Sequence, residues 1–129
     1  MDTLAVGKRL VELCKQGQNL AAIDELYADD VVTVEVGEMP GFSQRTEDKA
    51  SIKAENEKWL SMHEIHGGDV KGPWPHGDRF AVMFSTDMTA KEGPMAGQRM
   101  QGDELGLYTV RDGKISHVEW FYDMSGCDD

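Results

Sequence analysis

Three features of the sequence have the residue types and spacing to do chemistry. The first is "YADDVVTVEVGE", Tyr27 to Glu38, in which Glu35 interrupts a run of valines. Asp29, Asp30 and Glu38 fall where turns and strand edges would put acids, but Glu35 falls inside the run. In an apolar pocket its carboxylate would have a raised pKa and could abstract a proton next to a carbonyl. Strand alternation leaves two arrangements. In one, Glu35 faces inward with Val31 and Thr33, and Val32, Val34 and Val36 face away. In the other, the valines are buried and Glu35 is solvated or at a dimer contact; hydrophobicity alone favours this second arrangement. The second feature is "HEIH". On a helix His63 and His66 would aim together, but here a strand is expected, which turns them to opposite faces, so no metal site is expected. His66 alone could face a pocket and relay protons with Glu35, or lie on the surface. The third is Asn56, which shares the apolar stripe of a helix with Ile52, Trp59 and Leu60. A buried amide needs partners, and a ligand or ordered water could supply them.

The elements that must position these groups follow from periodicity. Val6, Leu10 and Leu13 mark a first helix, with Gly17 as its stop and Asn19 as the cap of a second helix carrying Leu20, Ile23 and Leu26. "VVTVEV" is a strand of β-branched residues. "GEMPGFSQR" reads as a loop, and Thr46 as the cap of the third helix, with Glu47 and Asp48 in its first turn. From Met62 the pattern changes to strands: "MHEIHGGDVKG", then "GPWPHGD" as a turn, "RFAVMFSTDMTA" and "RMQGDELGLYTV". The Asp-Gly hairpin "RDGK" leads into "ISHVEWFYDM". The expected fold is α+β, a cone-shaped curved antiparallel β-sheet packed on three N-terminal helices. The open end of such a cone is a natural site for a small apolar molecule. "RFAVMFS" is apolar on both faces, which points to a homodimer formed through the outer sheet face.

Composition narrows the partners. The 129 residues suit one domain spanning 1–129, and 24 acids against 13 bases give a net charge of −11. That balance opposes nucleic-acid and anionic-membrane binding. With no leader or span evident, and Cys14 and Cys127 read as free thiols, the cytoplasm is the expected location. "GGDVKG" lacks the features of a phosphate loop, so no nucleotide is indicated and no cofactor is expected.

Taken in order, "LYADDVVTVE", "TEDKASI" and "YTVRDGKISHVEWFYD" resemble the nuclear transport factor 2-like superfamily. Within it they resemble the SnoaL-like polyketide cyclases and ketosteroid isomerase. The resemblance implies a cone pocket and places Glu35 where the isomerase carries its general-base carboxylate, which reverses the preference for buried valines. It turns Val118, Trp120 and Tyr122 towards the pocket as walls, with core packing as the other reading of Trp120. Glu104 and Tyr108 share the parity of Gly106 and so its pocket face. Tyr108 could donate to an oxyanion or simply pack in the core; Glu104 could be a second acid or pair with Arg79 or Arg99. Tyr27 is similar to a networked tyrosine of the isomerase, and Asp123 is a reserve acid. The isomerase's two oxyanion donors fall near Gly106 and Val11, so both are missing here. The resemblance therefore implies a cofactor-independent isomerase, cyclase or dehydratase acting on an apolar carbonyl compound. A non-catalytic binder and a dimerisation module are the alternatives.

Overall fold

The fold begins at Asp2, whose carboxylate accepts a 2.8 Å bond from the Ala5 N–H and caps helix α1 (Thr3–Lys15). These contacts come from a computed structural model that describes residues 1–39 and 41–123. Val6, Leu10, Val11 and Leu13 bury one side of α1. The chain leaves the helix through Gly17, at φ +73°, a conformation suited to glycine. Helix α2 (Asn19–Leu26) follows, with Asn19 as its first helical residue and Gln18, which makes no side-chain bond to the helix, at the cap position expected for Asn19.

Strand β1 (Tyr27–Val34) starts four residues before the valines, taking up "YADD" as well. Strand β2 (Arg45–Glu47) was not expected, since three polar residues carry no strand pattern. It pairs antiparallel with β1, opposing Val32 to Glu47 and Val34 to Arg45. Thr46 is therefore a strand residue rather than a cap. Asp48 caps helix α3 (Lys49–Ser61) instead, accepting from the Ser51 N–H at 2.7 Å.

Strands β3 (His63–His76), β4 (Arg79–Ala90), β5 (Arg99–Arg111) and β6 (Lys114–Phe121) form the meander. The segment "GPWPH", expected to turn, continues β3, with a register shift between Lys71 and Trp74. Prolines are tolerated there because β3 is an edge strand and its outer N–H groups need no partner. The Asp112–Gly113 turn between β5 and β6 has φ +53° and +78°, as a tight hairpin of this twist requires.

The sheet order is β2-β1-β6-β5-β4-β3, antiparallel except where β1 lies parallel to β6. This is the expected α+β arrangement of three helices on a curved sheet, and the sheet does not close. Its inner face carries Val70, Phe80, Val82, Tyr108 and Val118 against Leu10, Ile23 and Leu26 of the helices. Gly7 lets α1 approach β3: a β-carbon there would lie 2.8 Å from Pro73 Cβ. None of the helices is long and apolar enough to cross a membrane. Cys14 is half-buried and its thiol is pushed up to about 12 by burial, while Cys127 lies outside the described residues.

Candidate functional site

Strand parity decides what faces the cone. Val31 and Thr33 are buried and Val36 is 45% exposed, so Glu35 takes the inner side, one residue beyond β1. Its own N–H donates to Gln44 O at 2.7 Å, which fixes the backbone at the strand end. Across the sheet, Thr33 opposes Val118, Gly106 opposes Trp120, and Glu104 opposes Phe84. Glu35, Trp120, Tyr122 and Glu104 are thus brought to one end of the inner face.

The contact that organises this end is a hydrogen bond from the Tyr122 hydroxyl to Glu35 Oε2, 2.9 Å long. Burial raises the pKa of Glu35 above the usual carboxylate range, Tyr122 pulls it back, and the charge of Glu55 raises it again. Tyr122 is itself raised, by burial first and by Glu35 second. Glu104 lies deeper. Burial and then the charge of Glu35 push its carboxyl up to about 7, so it is the later of the two to ionise. No ion pair reaches Glu104 among the described residues: of its two expected partners, Arg99 binds Asp87 at 2.7 Å and Arg79 makes no ion pair with it.

Other expected participants have different places. Tyr108 is 1% exposed, stacked on Phe80 at 4.9 Å between ring centroids and edge-on to Trp120 at 5.9 Å. Tyr108 is therefore packed in the aromatic core, beside buried Tyr27, and burial raises both phenols above their usual range. Tyr27 is raised further by the nearby acids Glu35 and Glu104. Asn56 is exposed, and its amide donates to Ile52 O at 3.0 Å; α3 is rolled so that Glu55, not Asn56, points in. Thr46 Oγ1 donates to Glu55 Oε2 at 3.3 Å. His66 is exposed on the edge strand, its ring 2.7 Å from Thr89 Oγ1, so it is not brought to Glu35 as a relay. His63 stacks on Trp59 at 4.2 Å. Glu55 is the participant that sequence reasoning missed. Its signal was its place, three residues after Ile52 and four before Trp59.

Chemically, the arrangement offers a half-buried carboxylate oriented by a phenol, a second carboxyl able to hold a proton near neutrality, and an aromatic wall. Phe84, 5.6 Å from Trp120 between centroids, links this end to a cavity of about 860 Å³ at the mouth of the cone.

The chain was compared with known proteins. A family model described as a SnoaL-like domain matches residues 1–122. A Mesorhizobium loti protein, provisionally named a SnoaL-like polyketide cyclase with the bracketed alternative of a carbohydrate phosphatase, is 38% identical in sequence. Its crystal structure has a TM-score of 0.86, over 95% of this chain and 100% of that one. A provisionally named polyketide cyclase from Pseudomonas putida shares the fold at 21% identity and TM-score 0.70, over 96% and 93% of the two chains. A provisionally named isomerase from Bacillus subtilis shares it at 14% and 0.71, over 95% and 90%. No curated protein matched. The family match over nearly the whole length, joined to the three-helix cone, makes this chain a member of the SnoaL-like family.

Proposed function

We propose that the protein is a small-molecule enzyme in which Glu35 is a general base acting on an apolar, carbonyl-bearing compound. Proton transfer of this kind serves isomerisation, cyclisation or dehydration. The observation that carries the reading is the 2.9 Å bond from Tyr122 to a half-buried Glu35 on the inner face. Burial makes the carboxylate more basic, and the phenol holds one oxygen so that the other is aimed. The reading accords with the isomerase and polyketide cyclase names given to proteins of the same fold.

A generic substrate tests it. 5-Nitrobenzisoxazole opens on loss of one carbon-bound proton, and the product absorbs in the visible range. The wild type should accelerate this opening, and Glu35→Gln should lower the rate about 10²-fold or more while leaving the melting temperature unchanged. Tyr122→Phe removes a donor that favours the ionised carboxylate, so the pH–rate curve should move to higher pH. Equal rates in wild type and Glu35→Gln would show that Glu35 is not the base.

A non-catalytic binder is the second reading. It is favoured by the burial of Tyr108 between Phe80 and Trp120, which makes that tyrosine part of the core packing.

We further propose a homodimer through the convex face. That face carries Trp74, 52% exposed, and Phe121, 47% exposed, with Met83 and Leu107 between them on β4 and β5. Sedimentation at micromolar concentration should give twice the 14.4 kDa chain mass, and Leu107→Asp should return the monomer. A monomeric wild type rules the dimer out.

A further inference from the structure

The mouth of the cone holds a cavity of about 860 Å³ that the acids at the deep end do not explain. Its apolar walls are formed by Leu20, Trp59, Leu60, Ile65, Val70 and Phe84, and polar residues complete the lining. Space of that order takes a drug-sized molecule. The aromatic walls are held in place, Trp59 by its stack on His63 and Phe84 by its contact with Trp120. Thr86, two residues beyond inward-facing Phe84 on β4, also borders the cavity. Strand alternation turns its side chain to the same inner face, so a larger side chain there would project into the cavity.

Charge is unevenly placed around this mouth. Lys15 borders it and has no acidic partner among the described residues. Next to Lys15 on the rim is the start of α2, where Asn19, Leu20 and Ala21 line the cavity. No side chain caps that start, so its first N–H groups are open to an anion, while Lys15 offsets the carbonyl end of α1 at the same rim. Asp69 is the only acid among the lining residues, but it alternates with inward-facing Val70. It belongs with Ser85, Asp87 and Gln101 to a shallow dimple on the convex face, and one of its oxygens accepts from the Val70 N–H at 2.9 Å. Past Phe84, by contrast, the deep end presents Glu35 and Glu104.

We infer that this cavity binds an amphipathic organic anion, with an apolar ring system against Trp59 and Phe84 and its carboxylate at Lys15 and the start of α2. The acids at the deep end repel the charged group and set the orientation, apolar end inward and anion at the mouth. This names a substrate class for the proposed function, and rests on that function only in taking the cavity as the approach to Glu35.

Two dyes of nearly the same shape test the inference. 8-Anilinonaphthalene-1-sulfonate carries an anionic group in place of the carboxylate, and N-phenyl-1-naphthylamine has the same rings without it. Fluorescence titration of the wild type should give tighter binding of the sulfonate. Lys15→Gln should weaken the sulfonate about tenfold and leave the neutral dye within about twofold, because only the charge-assisted contact is lost. Thr86→Trp should weaken both dyes about tenfold by filling the cavity. Glu35→Gln should bind the neutral dye as the wild type does and the sulfonate at least as tightly, because it removes a repelling charge, so loss of the proposed chemistry and loss of this binding read out separately. Unchanged sulfonate affinity in Lys15→Gln overturns the anion site. Unchanged affinity of both dyes in Thr86→Trp overturns the cavity as their site.

Discussion

Gly106→Val is expected to cost about 3 kcal/mol or more, a large part of the stability of a domain this size. A β-carbon at this position would lie 2.7 Å from Tyr108 Cε1 and 3.0 Å from Trp120 Cζ3, closer than real contacts allow. Neither ring has an easy retreat. Tyr108 is fully buried and lies nearly parallel to Phe80, with an interplanar angle of 8°. Trp120 stands edge-on to Tyr108 at 77° and also leans on Phe84. Gly106→Ala should cost less, about 1–3 kcal/mol, since only one carbon must be accommodated. Urea unfolding followed by tryptophan fluorescence measures both. A valine variant within 0.5 kcal/mol of wild type, on the order of a neutral surface change, would mean that the rings give way freely. The same crowding bears on chemistry. An acid at position 106, which resemblance to the isomerase would call for, has no room under these two rings.

Glu104→Gln is expected to stabilise the protein at alkaline pH. The folded carboxyl titrates at about 7 against an unperturbed 4.5, so the native state holds its proton more tightly than the unfolded chain. Stability is therefore fully present below about 4.5, falls as pH rises through the window to about 7, and stays reduced above it. A shift of this size corresponds to about 3 kcal/mol at most, and about 2 kcal/mol once partial solvent access at the cavity is allowed for. Glutamine keeps the shape and cannot ionise. The variant should melt about 6–10 °C above wild type at pH 8 and within a degree or two of it at pH 4.5. A gap that does not change with pH would remove the buried ionisation as its cause.

How much of this was legible in the sequence depended on whether a signal was local. The Asp112–Gly113 hairpin and the two-sided "RFAVMFSTDMTA" strand carry their own pattern, and both stand at the expected residues. β2 has no hydrophobic signal, because "RTE" forms a strand only by having β1 to pair with. "GPWPH" reads as a turn until its place at the sheet edge, where proline costs little, is known. Asp48 rather than Thr46 caps α3, and the packing of that helix brings Glu55 inward and leaves Asn56 outside, which its stripe alone does not tell. Glu35 is the clearest case. Its residue type suggested chemistry, its neighbours argued for the opposite face, and burial of Val31 and Thr33 decided the matter. Tyr108 was a candidate by parity, but only its three-dimensional neighbours show that its ring is packed between Phe80 and Trp120.

The parallel pairing of β1 with β6 has a consequence for the order of assembly. Glu35 and Tyr122 meet across 87 positions of chain, and the strand that delivers Tyr122 is the last of the sheet. Contacts this distant in sequence form only after a large loop has closed, late in the folding of most such topologies. A nascent chain that has completed its helices, β3 and β4 still has an unoriented acid at position 35, with neither its phenol nor its aromatic wall. Any proton-transfer activity would thus switch on only with the last strand, which makes it a more stringent report of complete folding than helix content.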